Sequence, residues 1–233
     1  MNSSLATVLH TADTTYFVKG LRRDHPRVRA HNKEAVINPY VTPLAPRLLW
    51  RVDADGWRLL GFEHVSGRIP NYAPQSPDLD ILTDAINRVS ATPPPAIPFV
   101  QLPERLRDYA TDRQLRTLRG DALLHTDLNP HNILITRERT HILDWAMATT
   151  GPAWCEPAFA ILRLIHAGHT PHQAEQWAIR FPQWRTTPPE AITLFATLMT
   201  RLWQHFATSN PAPWRTELAT HAHTWHTHRT THH

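Results

Sequence analysis

Residues 125–145 constrain this chain more than any other stretch. His125-Thr126-Asp127-Leu128-Asn129-Pro130-His131-Asn132 is followed, twelve positions after Asn132, by Asp144-Trp145. Two short β-rich runs, Asn132–Thr136 and His141–Trp145, flank the polar Arg137-Glu138-Arg139 and read as a small hairpin. On that reading Asn132 stands at the entrance of one strand, Asp144 at the end of the returning strand, and Asp127 in the loop before them. Aspartate and asparagine also cap helices and make Asx turns. A histidine, two aspartates and an asparagine in this order favour one shared site instead.

Ahead of this segment the pattern is that of strands around one helix. Leu5–His10 and Thr15–Gly20 are short β-branched or apolar runs separated by a turn at Thr11-Ala12-Asp13-Thr14. From Pro26 to Tyr40 the spacing predicts a helix whose apolar face is Val28, Ala35, Val36 and Tyr40. Arg47–Val52 and Trp57–His64 follow, joined by the turn Asp53-Ala54-Asp55-Gly56. After Ser66-Gly67 the character changes to helices. Asp78–Thr92 carries Leu79, Leu82, Ile86 and Val89 at three- and four-residue spacing. Pro93-Pro94-Pro95 and Pro98 enforce an extended link. Further helices are expected at Leu102–Leu118, Glu156–His166, Pro171–Arg180, Pro188–Phe206 and Trp214–Thr227. The expectation is an α+β chain with a small antiparallel β lobe over residues 1–65 and a larger, mainly helical lobe over 66–233.

Composition excludes several classes. A single cysteine among 233 residues, Cys155, allows no intramolecular disulfide and no multi-thiolate zinc site. No stretch approaches the roughly 20 apolar residues of a membrane span, and the start has no basic segment leading into an apolar one. A cytoplasmic protein with no membrane association is expected. The formal charge is +4, but basic and acidic residues alternate without an arginine stripe among aromatics, so no nucleic-acid partner is expected. Of 24 basic side chains only Lys19 and Lys33 are lysines. The histidines of the tail, His221, His223, His226, His228, His232 and His233, read as a solvated helix end.

The chemistry of the central segment is specific. Phosphoryl transfer needs a carboxylate to orient or accept the proton of an acceptor hydroxyl, and oxygen ligands for magnesium near the nucleotide phosphates. Asp127 with Asn132 and Asp144 supplies both, as hard oxygen donors of the kind magnesium prefers. The order His-x-Asp-x-x-x-x-Asn followed by Asp is also that of the protein-kinase catalytic loop and its metal-binding aspartate.

The runs HTDLNPHNILI and HILDW, with FVKG around Lys19, HNKEAV around Glu34 and LLGFEHVSG, resemble the aminoglycoside phosphotransferase and choline kinase family, which shares a two-lobed protein-kinase-like fold. The resemblance implies an ATP-dependent kinase acting on a small-molecule hydroxyl, with ATP and Mg2+ as cofactors. It makes Asp127 the catalytic base and His125 the residue that braces the loop, with Asn132 and Asp144 as magnesium ligands. Lys19 then binds phosphate and is held by Glu34, while Lys33 beside it is a solvated lysine. It places the hinge at Gly61–Gly67, where the backbone of Glu63 and Val65 would read the adenine. Glu156 corresponds to an acid that caps the next helix.

One feature departs from that family. Kinases of this fold cover the phosphates with a loop, often glycine-rich, yet no glycine precedes Gly20. Ser3 and Ser4 are the residues that could serve instead, and the β lobe reads as truncated at its start. A pseudokinase-like binding or regulatory module with weak or no catalysis is therefore the alternative reading. No Walker A sequence is present, which excludes a P-loop kinase.

Overall fold

A computed structural model describes residues 4–232. In chain order the elements are β1 (Leu5–His10), β2 (Thr15–Arg22), α1 (Val28–Val41), β3 (Leu48–Ala54), β4 (Trp57–Glu63), α2 (Asp78–Ala91), α3 (Leu102–Leu106), α4 (Asp112–Arg116), β5 (Ala122–Leu124), β6 (Ile133–Ile135), β7 (Thr140–Ile142), β8 (Thr149–Gly151), α5 (Cys155–His166), α6 (Pro171–Ala178), α7 (Pro182–Arg185), α8 (Pro189–Ser209) and α9 (Pro213–His232). They form two compact units. The first comprises residues 1–70, 95–97 and 129–148, and the second residues 71–94, 98–128 and 149–233. The β6–β7 hairpin thus groups with the N-terminal sheet.

The sheet of the first unit is antiparallel with order β1-β2-β4-β3. Its tight turns have local causes. At Thr11–Thr14 the Thr11 hydroxyl donates to the Thr14 carbonyl at 2.9 Å. At the β3–β4 turn Asp55 and Gly56 both adopt positive φ, 48° and 78°, the conformation that matches the twist of a two-residue hairpin. Arg58 clamps that hairpin through both carboxylate oxygens of Asp53 at 2.7 Å. Position 61 admits only glycine because Trp50 lies across it, and a Cβ there would collide with the indole.

Helix α1 corrects the expected apolar face. Val36 and Tyr40 are 48% and 47% exposed, whereas His31, Glu34, Ala35, Ile37, Asn38 and Val41 are buried. Half of the buried stripe is polar, so an apolar count points to the wrong side. Asn38 shows what such a residue does there. Its amide donates to the Pro46 carbonyl at 2.8 Å and accepts from the Leu48 N–H at 2.7 Å, fixing where β3 begins.

In the second unit the helix expected over Leu102–Leu118 is broken. Ala110 is extended, and Thr111 caps α4 by accepting from the Gln114 N–H, with the Gln114 side chain returning to the Thr111 amide. Such a reciprocal cap satisfies two backbone donors at once and starts a new helix. The core of this unit is aromatic. Phe195 meets Trp154, Phe159 and Trp225 edge to face, at 5.6, 5.0 and 6.3 Å between ring centres. Beside it Glu175 of α6 accepts from Trp225 at 2.7 Å and from Arg229 at 3.1 Å, and Arg229 also donates to the Pro189 carbonyl at 2.8 Å. These are buried charges, each satisfied by the other.

Removing one member of a buried pair strands the other charge, which typically costs about 3–5 kcal/mol. Arg229→Met is therefore expected to destabilise the protein by that order in chemical denaturation. Adding Glu175→Gln should recover part of the loss; a single variant as stable as the wild type would refute this account of the latch.

Candidate active site

Lys19 lies on β2, paired across the sheet with Leu60 of β4. Its Nζ donates to Glu34 Oε1 at 2.7 Å and stands 3.8 Å from Asp144 Oδ1. The three side chains are little exposed, at 13%, 6% and 14%. Burial alone would lower the Lys19 pKa, but the charges of Glu34 and Asp144 outweigh it and hold the lysine protonated above its ordinary value. Burial pushes the Glu34 carboxyl up, and Asp144 adds to this, against the pull of Lys19. All three residues belong to the first unit.

Asp144 is presented by the β6–β7 hairpin. The Leu143 N–H donates to the Asn132 carbonyl at 2.8 Å, which fixes the residue before Asp144 against Asn132, and the Ile142 N–H donates to Leu44 at 2.7 Å. Asp144 then turns into a left-handed conformation, φ 58°, and a single 3-10 turn follows over Trp145–Met147. Among the described residues no cluster of three or more histidine, cysteine, aspartate or glutamate side chains is set to hold a metal. A carboxylate and a carboxamide oxygen are still the right donors for magnesium, which keeps several waters and takes its remaining ligands from phosphates. Asn132 and Asp144 fit such an ion in their chemistry.

In the second unit the loop at His125–Asp127 is held by Glu156. This carboxylate, fully buried in the first turn of α5, accepts from the His125 N–H and, at 3.0 Å, from the Thr126 N–H. It is not a cap of its own helix, as the sequence suggests, but a clamp on backbone about thirty residues earlier. Thr126 has φ 69°, a conformation that costs a threonine energy and persists only where its surroundings impose it. Arg105 donates to the Thr126 hydroxyl at 3.1 Å. The buried His125 ring accepts the Asp127 N–H at Nδ1, 3.3 Å away. Arg163, one turn from the end of α5, donates to Asp127 Oδ1 at 2.7 Å.

Other expected residues are placed as follows. Ser3 lies outside the described residues; Ser4 is exposed and its N–H donates to the Gly20 carbonyl at 3.0 Å. Glu63 closes β4, with its N–H donated to Arg47 at 2.8 Å, and Val65 is half-buried in the extended chain beyond it. Lys33 is not the solvated lysine expected: its Nζ donates to the Ala148 carbonyl. Cys155 is buried, which raises its thiol pKa well above the ordinary value. Sequence reasoning missed Arg105 and Arg163 altogether. Each sits on a helix distant in sequence from the loop it serves, and in an arginine-rich chain neither stands out.

Residues 110–191, the stretch that carries Asp127, Asn132, Asp144 and Glu156, match the phosphotransferase enzyme family, the family that the motifs resemble. No curated protein matches the sequence significantly. Solved structures share the fold. A ternary complex of an aminoglycoside phosphotransferase, APH(4)-Ia, with AMP-PNP and hygromycin B is 12% identical with a TM-score of 0.63, covering 95% of this chain and 94% of the other. The choline kinase LicA from Streptococcus pneumoniae is 15% identical with a TM-score of 0.60, covering 96% and 89%. LicA in complex with AMP is 13% identical with a TM-score of 0.65, covering 98% and 90%. The fold is therefore kinase-like, with an antiparallel N-terminal sheet and a helical C-terminal part. No helix among the described residues is long and apolar enough to cross a membrane.

The clamp on the loop has a pH signature. Burial raises the Glu156 pKa from 4.5 to about 7, against the two loop amides and Arg105, with Asp127 pushing it further up. A folded-state pKa above the unfolded one means that the folded protein binds the proton more tightly. The stability contributed by this group is full below pH 4.5 and is lost as pH rises to about 7. Glu156→Gln removes that loss, so the stability of the variant relative to wild type should improve by about 3 kcal/mol across this window. Denaturation curves whose separation stays constant with pH would contradict the assignment.

Proposed function

We propose that this protein is a phosphotransferase that transfers the γ-phosphoryl group of ATP to a hydroxyl of a small molecule. The observation that carries the reading is the Lys19–Glu34 ion pair at 2.7 Å with Asp144 at 3.8 Å. A compact cation, fixed by one carboxylate and close to a second, suits a site for phosphate beside a metal ion. Lys19 steadies the α- and β-phosphates and Glu34 holds it in place. Asn132 and Asp144 would bind magnesium, which when present neutralises charge on the transferring group.

Asp127 aligns the acceptor hydroxyl and takes its proton. Arg163 holds one of its carboxylate oxygens, and the loop amides anchored on Glu156 set its backbone. His125 has a structural part, accepting the Asp127 N–H. Ser3 and Ser4 are assigned to the phosphates, and the backbone at Glu63 and Val65 to the adenine edge. AMP-PNP and AMP in structures of the same fold support an adenine nucleotide as donor. A cytoplasmic setting, where ATP is available, suits the reaction.

The acceptor is a neutral or anionic molecule such as a sugar or nucleoside, in preference to a polycation. Polycations are recognised by acids. In the second unit Glu156 is engaged by the loop, Glu175 by Arg229 and Trp225, and Asp127 by Arg163. Beyond Glu190 the one acidic residue is Glu217, 3.8 Å from His166.

ATP turnover against a panel of hydroxylated metabolites and antibiotics tests the reading. Asp127→Asn is expected to lower kcat by about 10²–10⁴-fold while leaving MgATP binding intact. Turnover unaffected by this substitution would exclude the mechanism, and absence of a thermal shift with millimolar MgATP would favour a non-catalytic module.

A further inference from the structure

Lys33 and Glu34 are neighbours on α1, and both reach the segment that follows β7. Glu34 reaches its start through Lys19, which stands 3.8 Å from Asp144. Lys33 reaches its end directly, donating from Nζ to the carbonyl of Ala148. The residues from Asp144 to Ala148 behave as one small body. The Ala148 N–H closes the turn on the Trp145 carbonyl at 3.1 Å, and the Trp145 indole donates to Ile142 at 3.0 Å. Trp145, Ala146 and Ala148 are each no more than 2% exposed.

Asp144 has φ 58°, in the left-handed region that aspartate enters more readily than most residues but still at a cost that its neighbours help to meet. Packing and the Trp145 indole place the turn. Lys33 adds a tie at its end to the contact that Lys19 makes at its start, and the carboxylate of Asp144 is then aimed as well as placed. All other Lys and Arg residues apart from Lys19 are arginines, so a lysine that donates to a buried backbone carbonyl is not generic surface charge. A compact ammonium with three rotatable donors on a flexible stem suits that target, where a guanidinium would bring five donors in a rigid fork.

We infer that Lys33 is a positioning residue for the divalent-cation ligand Asp144. It touches neither nucleotide nor acceptor, and it acts by locking the Asp144–Ala148 turn to the helix that carries Glu34. The inference rests on the proposed reading only in taking Asp144 as a metal ligand.

The test is Mn2+ binding, followed by electron paramagnetic resonance with and without AMP-PNP, on wild type, Lys33→Met and Lys33→Arg. Groups that orient a metal ligand typically change affinity about 10–100-fold when removed. Lys33→Met should therefore weaken Mn2+ binding at least about tenfold, Lys33→Arg should restore part of it, and adenosine, which has no phosphates, should bind the variants and wild type alike. Equal Mn2+ affinity in wild type and Lys33→Met would overturn the inference. So would an equal loss of adenosine binding, which would mark Lys33 as a general support of the first unit. A wild type that binds Mn2+ but turns over no acceptor would sink the proposed function and leave the Lys33 comparison decisive on its own.

Discussion

An ammonium group removed from water needs anions around it, and the first unit is organised around supplying them to Lys19. Two carboxylates face one lysine, so the cluster carries one more negative charge than positive. Burial works against both members of the ion pair: it pulls Lys19 toward neutrality and pushes Glu34 toward protonation. A pair built for stability alone would stop at Lys19 and Glu34, because ion pairs out of water gain little over apolar packing. The additional carboxylate at 3.8 Å makes sense where a further positive charge is to be bound. Helix α1 gives half of its buried face to polar residues, and the β6–β7 hairpin belongs to the same unit.

The same constraint explains which parts of the fold are legible in the sequence. Strands β1 to β4 can be read because residue alternation and turn chemistry are local, and Asp55-Gly56 names its own turn. The position of α1 can be read, but its buried face cannot. His31, Glu34 and Asn38 look solvent-facing by type, and only the burial and partners that the fold supplies make them interior, as Lys19 does for Glu34 and the chain before β3 for Asn38. The pair β5–β8 is hidden for a related reason. Ala122–Leu124 and Thr149–Gly151 are three residues each, too short to show a period, and they form because each finds the other across the chain. The break at Ala110 is present in the Thr111 and Gln114 pattern, but the apolar spacing of Leu102–Leu118 conceals it.

The candidate site divides in the same way. Asp127, Asn132 and Asp144 can be named because their spacing along the chain carries the chemistry, and Lys19 and Glu34 because the runs around them resemble the family's. The groups that hold them cannot be given that role from sequence, because holding is done from a distance: Glu156 reads as a helix cap and Lys33 as solvated, while Arg105 and Arg163 do not stand out. Arg163, Arg105 and Glu156 come from helices, and Lys33 reaches a carbonyl over a hundred positions away.

Strain shows where that holding matters. Among the described residues four non-glycine positions have positive φ, and two of them are Thr126, beside Asp127, and Asp144 itself. A β-branched threonine is a genuine outlier there, and aspartate enters the region more readily than most residues but still at a cost. At Thr126 a buried carboxylate from α5 takes the backbone amides of His125 and Thr126. At Asp144 a helix ties both ends of the turn that follows, through Lys19 and through Lys33. A side chain confined in this way points in one direction before any ligand arrives, so the ordering cost is met in folding and not again at binding. Two carboxylates, each within its own unit, are held by side chains remote from them in sequence, and in each case the holding coincides with a backbone outlier at or beside the carboxylate.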